Sequence, residues 1–350
     1  MNDVGLSAEL VAVVLAVDDG RPWVLAAGQP PALPAGPLRV EEESLQSGVR
    51  EFAREHSGFD LGYVEQLYTF ADLGRSSDDR RVVSISYLGL ARAPIAGSVR
   101  PTDWSALYDL LPWEDRRHLG DSGADRLGEE IERALRRWSA NSAERLDRCR
   151  FLFAYDERPW RPDLALQRYE LLWETGLVAE SPSAARISAL TAGPMLHDHR
   201  RILATGLSRI RAKLQYRPVI FELMPETFTL LALQETVEAI AGQHVHKQNF
   251  RRAVEVQHEL VEPTGGVSHE TGGRPAKLYR FRGSVREERA QVGTKLPLPA
   301  EPSAPTARRS SSPRRPLFGQ PMWSWPSPAM GPDQYHARIG VMLSFSIYSY

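Results

Sequence analysis

Two groups of residues in this chain have the types and spacing to do chemistry. The first is Gly36, Glu42, Arg50, Glu51 and Glu55. Carboxylates set closely on one helix face hold Mg²⁺, and the ion bridges a diphosphate and activates water. The second is Lys247-Gln248-Asn249-Phe250-Arg251-Arg252. An amide and two guanidiniums at the start of a short helix suit the major groove of DNA. Asn or Gln bonds adenine edges, and Arg bonds guanine or phosphate. Lys277, Arg280 and Arg282, with Arg274 in the loop before them, are placed to reach phosphate or a minor groove.

The first group resembles a Nudix box, Gly-x5-Glu-x7-Arg-Glu-U-x-Glu-Glu-x-Gly-U, where U is bulky and apolar. Read forward from Gly36, the paired acids fall on Arg54 and Glu55 and the second glycine on Ser57. Read back from Gly58, the Arg-Glu pair falls on Glu51 and Phe52, and the acid pair on Glu55 and His56. Each register loses one metal-binding carboxylate, so hydrolysis is not expected. Binding is less demanding: Arg50, Arg54, Arg80 or Arg81 can meet phosphate directly, with Glu55 beside them. These five residues form the candidate effector-binding set. The bland alternative is an acidic, solvated helix face. For the second group it is a basic face in a domain that docks on protein.

No other constellation is persuasive. His197 and His199 are two apart on a predicted helix, so they point apart and make a poor metal pair. His244 and His246 flank a turn without a third ligand. No Walker lysine loop, GxGxxG or GxSxG occurs. No residue is assigned to catalysis or to a metal.

The elements that must position these groups are legible as patterns. Residues 10–17 (LVAVVLAV) read as a strand ending at the turn Asp18-Asp19-Gly20, and residues 23–26 as its hairpin partner. Residues 41–57 read as a helix with Leu45, Val49 and Phe52 on one face. Residues 63–70 and 82–91 read as further strands, which gives an α/β/α layered domain. Residues 103–190 read as mostly helical, with a helix over 164–175 closed by Gly176. Residues 197–214 read as a long basic helix with an apolar stripe. Residues 218–221 read as a short strand. Thr229 caps a helix from 230 to about 240, broken at Gly242, and a second covers about 247–257. A strand at 259–261, a loop rich in Gly and Thr, and a strand at 276–281 complete a winged helix-turn-helix order.

Composition bounds the rest. The 350 residues are 42% hydrophobic and 25% charged with net charge −1, which excludes a wholly basic histone-like binder. Charge is uneven. Residues 1–110 carry an acidic excess of seven and residues 197–283 a basic excess of four, so the later part is the candidate for a polyanion. The one cysteine, Cys149, forms no internal disulfide and supplies no cysteine-rich zinc site. No apolar run approaches the roughly 18–20 residues that span a bilayer. The acidic start lacks a basic n-region, so a cytoplasmic protein with no membrane partner is expected. Expected boundaries are 1–110 for the α/β core, 111–216 for a helical extension and linker helix, 217–283 for the winged helix, and 284–350 for a Pro/Ser/Arg-rich, disordered tail.

Family resemblance joins the two groups. TFTLLALQETVEAIAG, then HKQNFRRAV, then TGGVSHETGGRPAKLYRF resembles the C-terminal winged helix of Nudix-related transcriptional regulators, the NrtR group. Their usual run is close to Asp-Lys-Arg-Asn-Phe-Arg-Arg-Lys followed by Gly-Arg-Pro-Ala-x-Leu-Tyr-Arg-Phe. Here His246, Gln248 and Ala253 depart from it, whereas Gly273 to Phe281 match throughout. Residues 62–75 and 81–90 resemble the family's Nudix-like domain. The long middle segment, with LPWEDRR and LQRYELLWETGLVAE, more closely resembles the alphaproteobacterial NAD-biosynthesis regulator branch, NadQ. The resemblance covers about residues 8–283. It implies a Nudix-like α/β/α sandwich with a helical insertion, then a winged helix. It implies a repressor of NAD-synthesis or salvage genes that binds a double-stranded operator. Its sensor has lost or reduced hydrolysis and takes an adenine nucleotide (NAD, ATP or ADP-ribose) as effector, and no cofactor is required. A single short reading helix makes few base contacts, so a homodimer on two half-sites is expected. The rival readings are a pyrophosphatase acting on ADP-ribose or a related nucleotide diphosphate, and a protein-docking adaptor.

Overall fold

β1 (Leu6–Asp18) is the spine of the first domain in the computed structural model. Its side chains alternate between two cores: Val11, Val13 and Leu15 enter one, while Leu10, Ala12, Val14 and Ala16 enter the other. A strand buried on both faces reads as a continuous apolar run, as LVAVVLAV does. The structure describes residues 6–38, 44–58, 61–70, 81–92, 103–118, 122–183, 193–257, 260–268 and 275–282. All of them lie within a single unit spanning residues 1–300. The tail from 284 lies outside them.

β2 (Arg21–Leu25) pairs antiparallel with β1 across the expected turn, where Asp19 and Gly20 both have positive φ. β3 (Ala35–Pro37) pairs with the early part of β1. α1 (Leu45–Ser57) starts later than the pattern suggested. Ser44 caps it, its hydroxyl accepting from the Ser47 amide at 3.1 Å. β4 (Leu61–Phe70) and β5 (Arg81–Ala91) follow, with β5 parallel to β1 and antiparallel to β4. β6 (Trp104–Ala106) adds to β2. The sheet order is β4-β5-β1-β2-β6, with β3 also on β1.

The middle of the chain is helical as expected. It contains α2 (Leu107–Leu110), a 3₁₀ turn at Pro112–Glu114, α3 (Ser122–Ser139), α4 (Ala143–Phe153) and α5 (Ala165–Glu174). α6 (His199–Leu214) lies across the second face of the sheet. Its stripe of Ile202, Leu203, Leu207, Ile210 and Leu214 is buried in the core shared with Val11, Val13 and Leu15, so the chain itself consumes that surface. α1 covers the first face through Val49 and Ala53. The result is an α/β/α sandwich. The helix expected from 197 begins at His199, because His197 sits at φ +49.

The C-terminal part holds β7 (Phe228–Thr229), α7 (Leu230–Ala241), α8 (Lys247–Arg252) continued by a wider turn at Ala253–Gln257, β8 (Val261–Ser268) and β9 (Ala276–Phe281). Its sheet order is β7-β9-β8. Two expectations are corrected. Residues 218–221 are not a strand: Val219–Glu222 is a 3₁₀ turn with all four side chains buried. A four-residue apolar run cannot by its period distinguish the two. The glycine-rich stretch is not all loop, since β8 runs on to Ser268. A register shift between Pro263 and Val267 absorbs the glycines, with Gly265 at φ +82.

Among the described residues no helix is long and apolar enough to cross a membrane. One contact tests the sandwich. A Cβ on Gly206 of α6 would lie 2.8 Å from Val13 Cγ1 and 3.2 Å from its Cβ. Alanine gains about 1 kcal/mol of helix propensity, but overpacking a rigid β-branched neighbour costs about 1–3 kcal/mol. Gly206→Ala is therefore expected to lower the urea midpoint. An equal or higher midpoint would show that α6 does not rest on β1 this closely.

Candidate functional site

Local signals set the helix-turn-helix. Thr229 caps α7, its hydroxyl accepting from the Ala232 amide at 3.1 Å. Gly242 ends α7 at φ +68 and returns its amide to the Glu238 carbonyl. Glu238 then ties down the turn. One carboxylate oxygen accepts from the Val245 amide at 3.0 Å and from Gln234 Nε2 at 2.8 Å. The other meets His244 Nδ1 at 2.7 Å. Burial raises the Glu238 carboxyl, but the bonds from Gln234, His244 and Val245 outweigh it and hold the group below its ordinary value.

α8 is anchored by Phe250 and, one turn on, Val254, both fully buried. That anchoring leaves Lys247, Gln248, Asn249, Arg251 and Arg252 exposed. Among the described residues none of these five side chains makes a hydrogen bond or an ion pair. They form a short projecting face of three cations and two amides, which is the chemistry of groove readout. In the wing Lys277 is exposed, whereas Arg280 Nε is held 2.5 Å from Glu262. Arg280 is thus already engaged on the hairpin. Arg274 lies outside the described residues.

The second candidate site is a cleft between α1 and the β1–β3 edge. Leu10, Gly36, Pro37, Gly48, Glu51, Phe52 and Glu55 line it. Gly36 is needed for close approach, since a Cβ there would lie 3.0 Å from the Phe52 ring. Of the box outline, the structure brings Gly36, Glu51 and Glu55 to one cleft. Of the effector set, Glu55 lines it. Arg54 is exposed, and Arg50 donates through Nη1 to the Leu61 carbonyl, tying α1 to β4. Arg80 lies outside the described residues, as do Glu42 and the Arg81 side chain. Sequence reasoning missed Leu10 and Pro37, which join the cleft because β3 folds back on β1, and Gly48 and Phe52, which line it from α1.

His199 has a structural use: its Nδ1 accepts from the Leu33 amide at 3.0 Å, inside the core. The described residues contain no group of three or more His, Cys, Asp or Glu fit to hold a metal.

A mixed sheet between α1 and α6, followed by a helix-turn-helix and a three-stranded wing, is an α/β/α body joined to a winged helix. Residues 220–281 match the family of NrtR DNA-binding winged helix domains, so the C-terminal part is a winged helix of NrtR type. The ADPR responsive transcriptional repressor NtrR of Acinetobacter baylyi is 39% identical over 84 residues, 24% of this chain and 33% of that protein. The chain thus matches about a third of that relative's length. NrtR of Shewanella oneidensis, crystallised with a 27mer DNA, is 19% identical and superposes with TM-score 0.50, covering 80% of this chain and 95% of that one. That likeness is one of fold. A MutT/nudix family protein of Enterococcus faecalis is 17% identical, covers 79% of this chain and 88% of its own, and gives TM-score 0.47.

The depressed Glu238 fixes a pH dependence. A carboxyl held low in the folded state contributes stability above its unfolded value and loses it as pH falls through the folded value. Glu238→Gln is expected to cost about 1 kcal/mol at neutral pH and progressively less as pH falls below the usual carboxylate range. Thermal midpoints of both proteins from pH 7 to 3 check this. A gap that stays constant with pH would show that the charge of Glu238 plays no part.

Proposed function

We propose that this chain is a DNA-binding transcriptional repressor whose Nudix-like domain senses an ADP-ribose-type nucleotide. The observation that carries the reading is α8. Five unpartnered polar side chains project from a helix whose apolar anchors are buried, within a winged helix of NrtR type. The Acinetobacter relative is named as ADPR responsive, which supports ADP-ribose over NAD or ATP. The target genes are those of NAD synthesis or salvage, and the active species is a homodimer that reads two half-sites. In the cleft, Glu51 and Glu55 stand four apart on α1, and Arg54 takes the place of a paired acid. One carboxylate too few for a firm Mg²⁺ site supports binding without efficient turnover.

Selection of bound genomic fragments, with and without ADP-ribose, NAD or ATP, tests the whole reading. Enrichment of promoters of NAD-synthesis genes, altered by one nucleotide, is the expected result. No enrichment would exclude the regulator. Within that assay, Arg251→Ala and Arg252→Ala are expected to weaken binding. The one that bonds a base edge costs about 1–3 kcal/mol of discrimination. A phosphate contact instead lowers affinity for every sequence and reduces the salt slope by about one. Unaltered binding curves from both variants would remove α8 from the interface.

The Glu51–Glu55 pair also gives the hydrolase reading a specific test. Steady ADP-ribose hydrolysis with Mg²⁺, abolished by Glu55→Gln, would make this chain a pyrophosphatase. We expect no turnover above buffer, with ADP-ribose binding retained.

A further inference from the structure

The last carbonyls of a helix have no partner within it. At the end of α7 they are satisfied from the Nudix-like body. The Ala239 carbonyl accepts from the Tyr108 hydroxyl at 2.6 Å, and the Ile240 carbonyl accepts from Arg211 Nε at 2.8 Å. The Gly242 carbonyl accepts from the Arg116 amide at 2.7 Å. Gly242 has no room for a side chain: a Cβ there would lie 2.2 Å from the Glu114 carbonyl oxygen and 2.6 Å from Arg211 Nη2.

Tyr108 and Arg116 lead back to the sheet, and Arg211 leads to α6. Tyr108 stands on α2, which continues directly from β6. Arg117 grips Asp115 with two bonds and donates to the Gly20 carbonyl at 2.9 Å, at the turn between β1 and β2. Gly20 itself lies against Glu235 of α7. Arg211 comes from α6 and is held by Glu114, which also takes both Nε and Nη2 of Arg168. β1 lines the candidate cleft at Leu10 and reaches this contact at its far end.

We propose that Tyr108, Glu114 and Arg211 form the joint through which occupancy of the α1 cleft reaches the reading helix. The proposal rests on the sensor reading above. Ligand and DNA are linked only if both bias one shared arrangement. The three carbonyl bonds, with His244 Nε2 at 3.0 Å from the Arg117 carbonyl, are direct polar ties between the body that bears the cleft and the end of the helix that delivers α8. Tyr108, Glu114 and Arg211 act as positioning residues, since none of them reaches DNA or the cleft.

The test measures ADP-ribose affinity of the full chain by calorimetry, alone and with the selected promoter fragment. In the unaltered protein the two affinities are expected to differ at least about fivefold. In Tyr108→Phe, which removes one hydroxyl and keeps the ring, the ratio is expected to fall to within about twofold of unity. Its ADP-ribose affinity without DNA stays within about twofold of the unaltered value. Hydrogen exchange at the Arg116 amide, protected by Gly242, is expected to speed up in the same variant. Glu114→Gln is expected to abolish the ratio as well where it folds, but Tyr108→Phe decides. A full ratio in Tyr108→Phe, with exchange at Arg116 unchanged, overturns the joint and leaves the sensor standing. Equal affinities in the unaltered protein overturn the sensor reading, and the joint falls with it.

Discussion

Glu114 is fully buried, and so are the two arginines that hold it. Taking three charges out of water is expensive, and the attraction between them repays this only when the geometry is good and every remaining donor is used. Here it is. Arg168 meets both carboxylate oxygens in a fork, at 2.7 and 2.8 Å, and its Nη1 donates to the carbonyls of Leu152 and Arg161. Its guanidinium carbon also lies 3.8 Å from the Trp160 ring centroid. Burial raises the Glu114 carboxyl, but Arg168 and Arg211 outweigh that and keep it ionised. The cluster gathers α5, α6, the Pro112–Glu114 turn and the end of α7 around one carboxylate. Few arrangements of those four elements satisfy all the donors at once, so the charge that is costly to bury also limits the ways they can pack.

The same cluster changes what the basic excess of residues 197–283 means. Arg200 and Arg211 are almost fully buried, Arg200 against Glu180. Lys213 lies 3.1 Å from Glu65 of β4. These cations cement α6 to the body and offer nothing to a polyanion. Of the exposed cations, Lys247, Arg251, Arg252 and Lys277 sit on α8 and the wing, whereas Arg217 lies just before the turn at Val219–Glu222. Net charge by segment marks the part of the chain that carries α8. It overstated the positive surface, because a tally of residues cannot separate charges paired internally from charges left in solvent.

Where the sequence carried a period and a punctuation mark, the element was legible. LVAVVLAV with its Asp-Asp-Gly turn, and α7 between Thr229 and Gly242, are of this kind. What failed was too short or too dependent on partners. β6 and β7 have three and two residues, below any period. The expected strand at 218–221 became a 3₁₀ turn because burial, which the apolar run did report, is shared by both conformations. β8 resumes beyond Thr264-Gly265-Gly266 because β9 pairs with Val267 and Ser268, while the Thr264 hydroxyl donates to the Leu278 carbonyl across the gap. In the cleft, Gly36 and the acids of α1 were legible by spacing. Phe52 was taken as a core position, yet it also forms part of the wall. Arg50 looked like a phosphate ligand and is bound to the Leu61 carbonyl. Glu114 was visible only inside LPWEDRR, as one acid among several charges. Nothing local distinguishes a carboxylate that will be buried against arginines 54 and 97 residues away.

The route of the chain gives these contacts their consequence. α6 leaves the sheet face and reaches the 3₁₀ turn at Val219–Glu222, whose four side chains are buried, and Arg92, just after β5, grips Glu222 at 2.6 Å. Stacking of Phe221 on Phe281 then ties that turn to β9. The winged helix is therefore held at both ends of its fold, by Phe221 at the wing strand and by Tyr108, Arg211 and Arg116 at the end of α7. A head tethered by a flexible linker pays nothing for a change in the body, because the linker absorbs it. A head fixed at two separated points cannot move without breaking one of them. Any shift of the sheet edge near Gly20 must then either rotate α8 with it or lose bonds at the α7 terminus. A ligand that favours one arrangement can act on α8 only through contacts that change with it, and those bonds stand among them.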